Sequence, residues 1–142
     1  MLKSIIRYRF QAYERLKGKK IIAKLFQEGH VVKKFYPLQL VYLAVKDPAI
    51  THHKVLCSVS KKKCKHAVDR NRIKRKMREA YRLNKHCLLP SASTTPMHHF
   101  LLAYLYVAQD SNCDFETIEK KIQESIDYLN QLADAGVDSS IC

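Results

Sequence analysis

Nineteen consecutive residues, 67–85 (AVDRNRIKRKMREAYRLNK), contain neither glycine nor proline and read as one helix with two unlike sides. At about 100° per residue, Ile73, Met77 and Ala80 share a face with Tyr81 at its edge, while Lys74, Arg75, Arg78, Arg82 and Lys85 point largely away. The dry side must be covered by the rest of the chain, and the charged side must stay outside any core. From residue 61 to residue 85 there are twelve Lys and Arg against two acids, Asp69 and Glu79, a local +10 within a formal net charge of +13. A helix that is merely solvated interleaves acid with base at i, i+4 to relieve repulsion. Charge this dense and this unrelieved destabilises the isolated protein, so it calls for an anionic partner.

The remaining segments supply the cover. KKIIAKLFQE is bracketed by Gly18 and Gly29, and its Ile21, Ile22, Leu25 and Phe26 recur with the period of one helical face. Residues 37–45 (PLQLVYLAV) are β-prone and apolar on both alternating faces, as an interior strand covered on both sides requires. DPAITHH reads as a loop, and residues 54–60 (KVLCSVS) as the next strand, predicting an antiparallel hairpin with a long connection. LLPSASTTP (88–96) is a linker that ends the basic helix. MHHFLLAYLYVA (97–108) is a further strand, and residues 114–136 form a last helix with Ile118, Ile122, Ile126 and Leu129 at core spacing and Asp114 and Glu116 at its dipole-favoured start. The predicted fold class is α+β, a small mixed sheet packed with helices in the order helix, strand, strand, basic helix, strand, helix, with room for one extra short strand. A chain of 142 residues fits a single domain, with 1–14 and 137–142 expected to be flexible.

Several function classes drop out. The longest apolar run, residues 100–108, is nine residues, against about twenty for a membrane span. The first residues interrupt their apolar positions with charge, so no secretory leader is expected. The five cysteines include no C-x-x-C pair, and combinations of Cys57, Cys64, His66, His86 and Cys87 match no structural zinc spacing. A reduced, cytoplasmic chain with no membrane partner and no protein-bound metal is the expectation. The first hundred residues contain only Glu14, Glu28, Asp47, Asp69 and Glu79 as acids, too dispersed to hold a catalytic cation, so no catalytic residue is assigned. The His52-His53 and His98-His99 pairs are placed on surface or loop without a role.

Nucleic acid remains as the partner. Each Lys or Arg that meets a phosphate releases condensed counterions, and arginine adds a planar fork matched to phosphate oxygens. Asn71, between Arg70 and Arg72, offers a neutral amide to a base edge, a sugar or a phosphate. A DNA-binding basic zipper would need heptads after the basic helix. The linker from residue 88 interrupts it instead, so no DNA partner is expected.

These residues also carry a resemblance. SVSKKKCKHAVDRNRIKRKMREAYR resembles the signature of the bacterial ribonuclease P protein subunit, a Lys-Lys pair after a strand, then A-V-x-R-N-R-x-K-R and R-E-A-aromatic-R. The matching positions are Lys61-Lys62, Ala67-Val68, Arg70-Asn71-Arg72, Lys74-Arg75 and Arg78-Glu79-Ala80-Tyr81-Arg82. Upstream, RLKGKKIIAKLFQEG (15–29) is similar to the family's first helix and closing glycine, and LVYLAV to its next strand. The chain departs from the pattern at Leu56, where many relatives have glycine, and at Ile22, early in the first helix; Phe26 keeps the place of a second aromatic.

The resemblance implies a left-handed strand-helix-strand crossover around the basic helix, although general rules favour the right hand. It implies a role in removing the 5′ leader of precursor tRNA, with the chemistry carried by a large RNA subunit and its Mg²⁺. Arg70, Asn71, Arg72, Lys74, Arg75 and Arg78 would then dock on the ribonuclease P RNA subunit. The single-stranded leader would lie in a cleft between the sheet and the first helix, against Phe26, Tyr42, Lys61 and Lys62.

Overall fold

The computed structural model describes residues 12–45, 52–85, 99–109 and 113–134. After a 3-10 turn at Ala12–Glu14 come α1 (Lys19–Glu28), β1 (His30–Val32), β2 (Leu38–Val45), β3 (Lys54–Val59), α2 (Ala67–Asn84), β4 (His99–Tyr106) and α3 (Phe115–Asp134). This is the predicted α+β order, with β1 as the extra short strand.

The strands form one mixed sheet in the order β1-β2-β4-β3; β1–β2 and β2–β4 are antiparallel and β3–β4 is parallel. The expected hairpin between residues 37–45 and 54–60 does not form, because β4 lies between the two strands. The reason is polarity. β4 is apolar on both faces and gains most from an interior position with a neighbour on each edge, whereas β3 alternates buried Val55, Cys57 and Val59 with half-buried Lys54, Leu56 and Ser58, as an outer strand does. A parallel pair needs a crossover, and α2 supplies it.

The sheet is covered on both faces. Leu38, Leu40 and Tyr42 of β2, with Phe100, Leu102 and Tyr104 of β4, pack against Ile73, Met77, Ala80 and Tyr81 of α2 and Ile118, Ile122 and Ile126 of α3. The alternate positions Val41, Leu43 and Val45, with Leu101 and Ala103, pack against Leu25 of α1 and Leu16. Each fully buried aliphatic side chain contributes roughly 1.5–3 kcal/mol, so the four apolar anchors of α2 hold its charged side in a fixed orientation. Asn84 adds specificity at the end of α2: its amide donates to the Ala80 carbonyl (2.8 Å) and to Glu119 Oε2 (3.2 Å), and its oxygen accepts from Gln123 (3.0 Å).

Glycine marks both ends of α1. Gly18 has φ 103°, a conformation L side chains rarely adopt. Gly29 donates its N–H to the Leu25 carbonyl (2.8 Å), and a Cβ there would lie 2.3 Å from that oxygen and 3.0 Å from the Tyr42 carbonyl. The helix end thus rests directly on the β2 backbone.

Residues 12–16 lie along the sheet as a strap. Arg15 forms a parallel bridge with Val55, the Leu16 N–H donates to the Val55 carbonyl (3.0 Å), and Lys54 Nζ donates to the Tyr13 carbonyl (2.6 Å), so this strap protects the outer edge of β3. Glu14 is buried, and both its carboxylate oxygens accept from Lys85 Nζ, at 2.9 and 2.8 Å. The predicted linker 88–96, most of the loop 47–53, His98 and the tail 137–142 lie outside the described residues. No described helix is long and apolar enough to cross a membrane.

Candidate nucleic-acid interface

Asn71, Arg75, Arg78 and Arg82 follow one another at i, i+4, i+7 and i+11, so they form a stripe along α2 opposite its buried anchors. Arg15, brought over by the strap, faces that stripe. Together with Glu79 these residues line a groove of about 370 Å³. Its one carboxylate is taken by Arg82, whose Nε donates to Glu79 Oε1 at 2.7 Å. Among the described residues no carboxylate pairs with Lys74, Arg75 or Arg78. Arg75 and Arg78 are exposed and Lys74 is half-buried. A groove walled by guanidinium groups and held by a packed helix is pre-organised for anionic oxygens, and each phosphate it meets would gain a charge-assisted hydrogen bond.

The remaining predicted docking residues differ among themselves. Arg72 is exposed and lies 3.6 Å from Asp69, a solvent-screened pair that contributes little. Arg70 turns back instead: its Nη1 donates to the carbonyls of Cys64 (3.1 Å) and Lys65 (2.8 Å) and so fixes the turn that leads into α2. Lys85, expected to point away with the charged side, is tucked into the ion pair with Glu14. Lys63 and Lys76 donate to the carbonyls of Val107 and Cys113, tying loops to the scaffold.

The four residues expected along a leader cleft lie on different surfaces. Phe26 projects from α1 with 45% of its surface exposed. Beyond α1 the same face of the sheet continues through Gln39, Leu105 and Ser58, which stand in one cross-strand row and are half-buried. Lys61 and Lys62 are exposed in the turn that follows β3, at the end of the strand where this row lies. Tyr42 does not share that surface. It points to the opposite face, is 5% exposed, and meets Phe100 and Tyr128 edge-on, with ring centroids at 6.3 and 6.1 Å. Burial first, then its hydrogen bond to Tyr128, raise the Tyr42 hydroxyl pKa above the usual phenol range. A strand alternates its faces at every residue, so Tyr42 and the α1-facing Val41 cannot serve the same cleft.

The Cys57 thiol is pushed up to about 12 by burial, against the weaker pull of Arg78 and Lys74, and a thiol held so far above neutrality is a poor nucleophile or metal ligand. Glu14, Asp69 and Glu79 are each committed to a cation. These residues do not fit a resident Mg²⁺, which takes several oxygens converging on one point. His53 accepts the Phe100 N–H at Nδ1 (2.9 Å) and packs against that ring, a structural role where a surface or loop place without one was expected.

Two cationic groove residues, Arg15 and Arg82, were not among the predicted contacts. Arg82 extends the 71, 75, 78 spacing and was legible from it. Arg15 reaches the groove through a tertiary bridge to β3 and carries no local signal.

Comparison with known proteins places this geometry. The protein family described as Ribonuclease P matches residues 10–130. The chain is 40% identical over 113 residues to the ribonuclease P protein component of Porphyromonas gingivalis strain W83, covering 80% of each chain. It is 41% identical over 120 residues to that of Chlorobaculum tepidum, covering 80% of this chain and 77% of the relative. Among solved structures it is similar in fold to the RNase P protein from Thermotoga maritima, with a TM-score of 0.62 at 22% identity over 81% of this chain and 96% of the other.

Proposed function

Because the chain belongs to the ribonuclease P protein family, we propose that it acts in the cytoplasm as the protein subunit of a ribonucleoprotein that removes the 5′ leader of precursor tRNA. The observation that carries this reading is the arginine groove on α2, in which Arg75 and Arg78 have no acidic partner among the described residues. In this reading Asn71, Arg72, Lys74, Arg75 and Arg78 meet the phosphates of the RNA subunit. Arg70 takes part chiefly by holding the turn before α2 in place.

The half-open face beside α1 is the second element. Phe26 offers a stacking surface for an unpaired base and Lys61 and Lys62 offer charge to its phosphates, a combination suited to single strands without sequence preference. The bond cleavage and its Mg²⁺ belong to the RNA partner and substrate. What this chain supplies is positioning, charge neutralisation and a grip on the leader, which would matter most when magnesium is scarce.

The test is reconstitution. The protein is mixed with a bacterial ribonuclease P RNA transcript and a precursor tRNA at low magnesium, and leader release is followed. Stimulation by the intact protein that is lost on Arg75→Ala supports the assignment. Stimulation of unrelated RNAs to the same degree would favour a general RNA chaperone, and preferential binding to duplex DNA would overturn the assignment.

A further inference from the structure

We infer that the buried Glu14–Lys85 ion pair is a latch that sets Arg15 into the RNA-facing groove, which makes Glu14 a positioning residue for RNA binding. The inference rests on the assignment of that groove to RNA.

Three consecutive residues are pinned by three different means. The Glu14 carboxylate is held by Lys85 at the end of α2, the Arg15 backbone bridges Val55 on the edge of β3, and Leu16 is buried in the core beneath α1. Arg15 therefore sits between two anchored neighbours and lines, with Arg75, Arg78 and Arg82, a groove that holds one carboxylate, Glu79. Cations gathered in this way repel one another, and repulsion of that kind pushes the strap away from α2. The ion pair opposes it. Its side chains are 11% (Glu14) and 17% (Lys85) exposed, so solvent and salt screen it far less than the pairs along the open side of α2. The latch thus remains closed under the ionic strengths at which the groove meets phosphate.

The signs of the competing explanations differ. If charge alone governed binding, deleting one of the chain's thirteen acids would tighten its hold on a polyanion. A latch predicts the reverse. The experiment measures affinity of the full chain for a bacterial ribonuclease P RNA transcript over a range of salt. Arg15→Ala should weaken binding about fivefold to tenfold and lower the slope of log K against log salt by about 1. Glu14→Gln should give a similar loss and slope change, and adding Arg15→Ala to it should cost little more, because both remove the same contact.

Should Glu14→Gln fail to fold, Glu14→Gln/Lys85→Met removes both charges, leaves the net charge unchanged and makes the same prediction. Additive losses, or unchanged or tighter binding in the Glu14 variants, overturn the latch. Arg75→Ala is measured alongside. If it weakens binding while the Glu14 variants do not, only the latch falls; if it too is silent, the assignment of the groove to RNA falls and takes the latch with it.

Discussion

Phe26 and Tyr42 stand on opposite faces of one sheet, the first on α1 with nearly half its surface in solvent, the second beneath α3 with its ring edge-on to Tyr128. An exposed aromatic supports little of the fold, so Phe26→Ala should change stability by no more than about 0.5 kcal/mol. Its effect should fall on recognition: the preference for precursor over mature tRNA should shrink by about 1–3 kcal/mol if one base stacks on the ring. Parallel binding titrations with the two ligands decide this, and equal losses for both would remove Phe26 from leader recognition.

Tyr42 should behave in the opposite way. Tyr42→Ala opens a cavity between β2 and α3 and should cost about 3–5 kcal/mol in urea denaturation. Tyr42→Phe keeps the ring and loses the bond to Tyr128, at about 1 kcal/mol. With its fold retained, the Phe variant should discriminate precursor from mature tRNA as the unmodified chain does. A selective loss of precursor affinity would return Tyr42 to the leader site.

Along α2, Arg75→Ala and Arg72→Ala should each weaken assembly with the RNA subunit and lower the magnitude of the salt slope by about 1. Arg75 should have the larger effect, since Arg72 is partly engaged by Asp69. Assembly titrations at several salt concentrations provide the measurement. Unchanged curves for both variants would detach α2 from the RNA.

His53 should make stability depend on pH. Burial, then the charges of His99 and His52, lower its pKa to about 4 from an ordinary value near 6.5, so between those values the unfolded chain binds the proton and the folded one does not. Stability is therefore greatest above about pH 6.5 and falls as the pH drops toward 4, by up to roughly 3 kcal/mol. Protonating Nδ1 would also remove the acceptor of the Phe100 N–H. Urea midpoints at pH 7.5, 5.5 and 4.5 should show the decline, and His53→Asn should flatten it.

Sequence pattern was most informative where one local rule dominated. The anchors Ile73, Met77, Ala80 and Tyr81 are all buried, as their helical spacing demanded, and Gly18 and Gly29 bracket α1. Strand pairing was less legible. Residues 37–45 and 54–60 are near neighbours in sequence, and only the stronger apolar character of β4 decides that it comes between them. Which side of β2 faces α1 is set by tertiary packing, so Tyr42 could not be separated from Phe26 by composition. The strap at Arg15 and the partner of Lys85 are likewise contacts across long stretches of chain, and no local signal marks them.

In the chain, α2 links two parallel strands of the sheet. The segment that presents the arginines is also the thread that carries the chain from the edge strand β3 back to β4 in the middle of the sheet. It is not an appendage that can be trimmed, swapped or nicked while the scaffold survives. Side-chain exchange can retune this surface, but excising the backbone beneath it would dismantle the sheet in the same stroke.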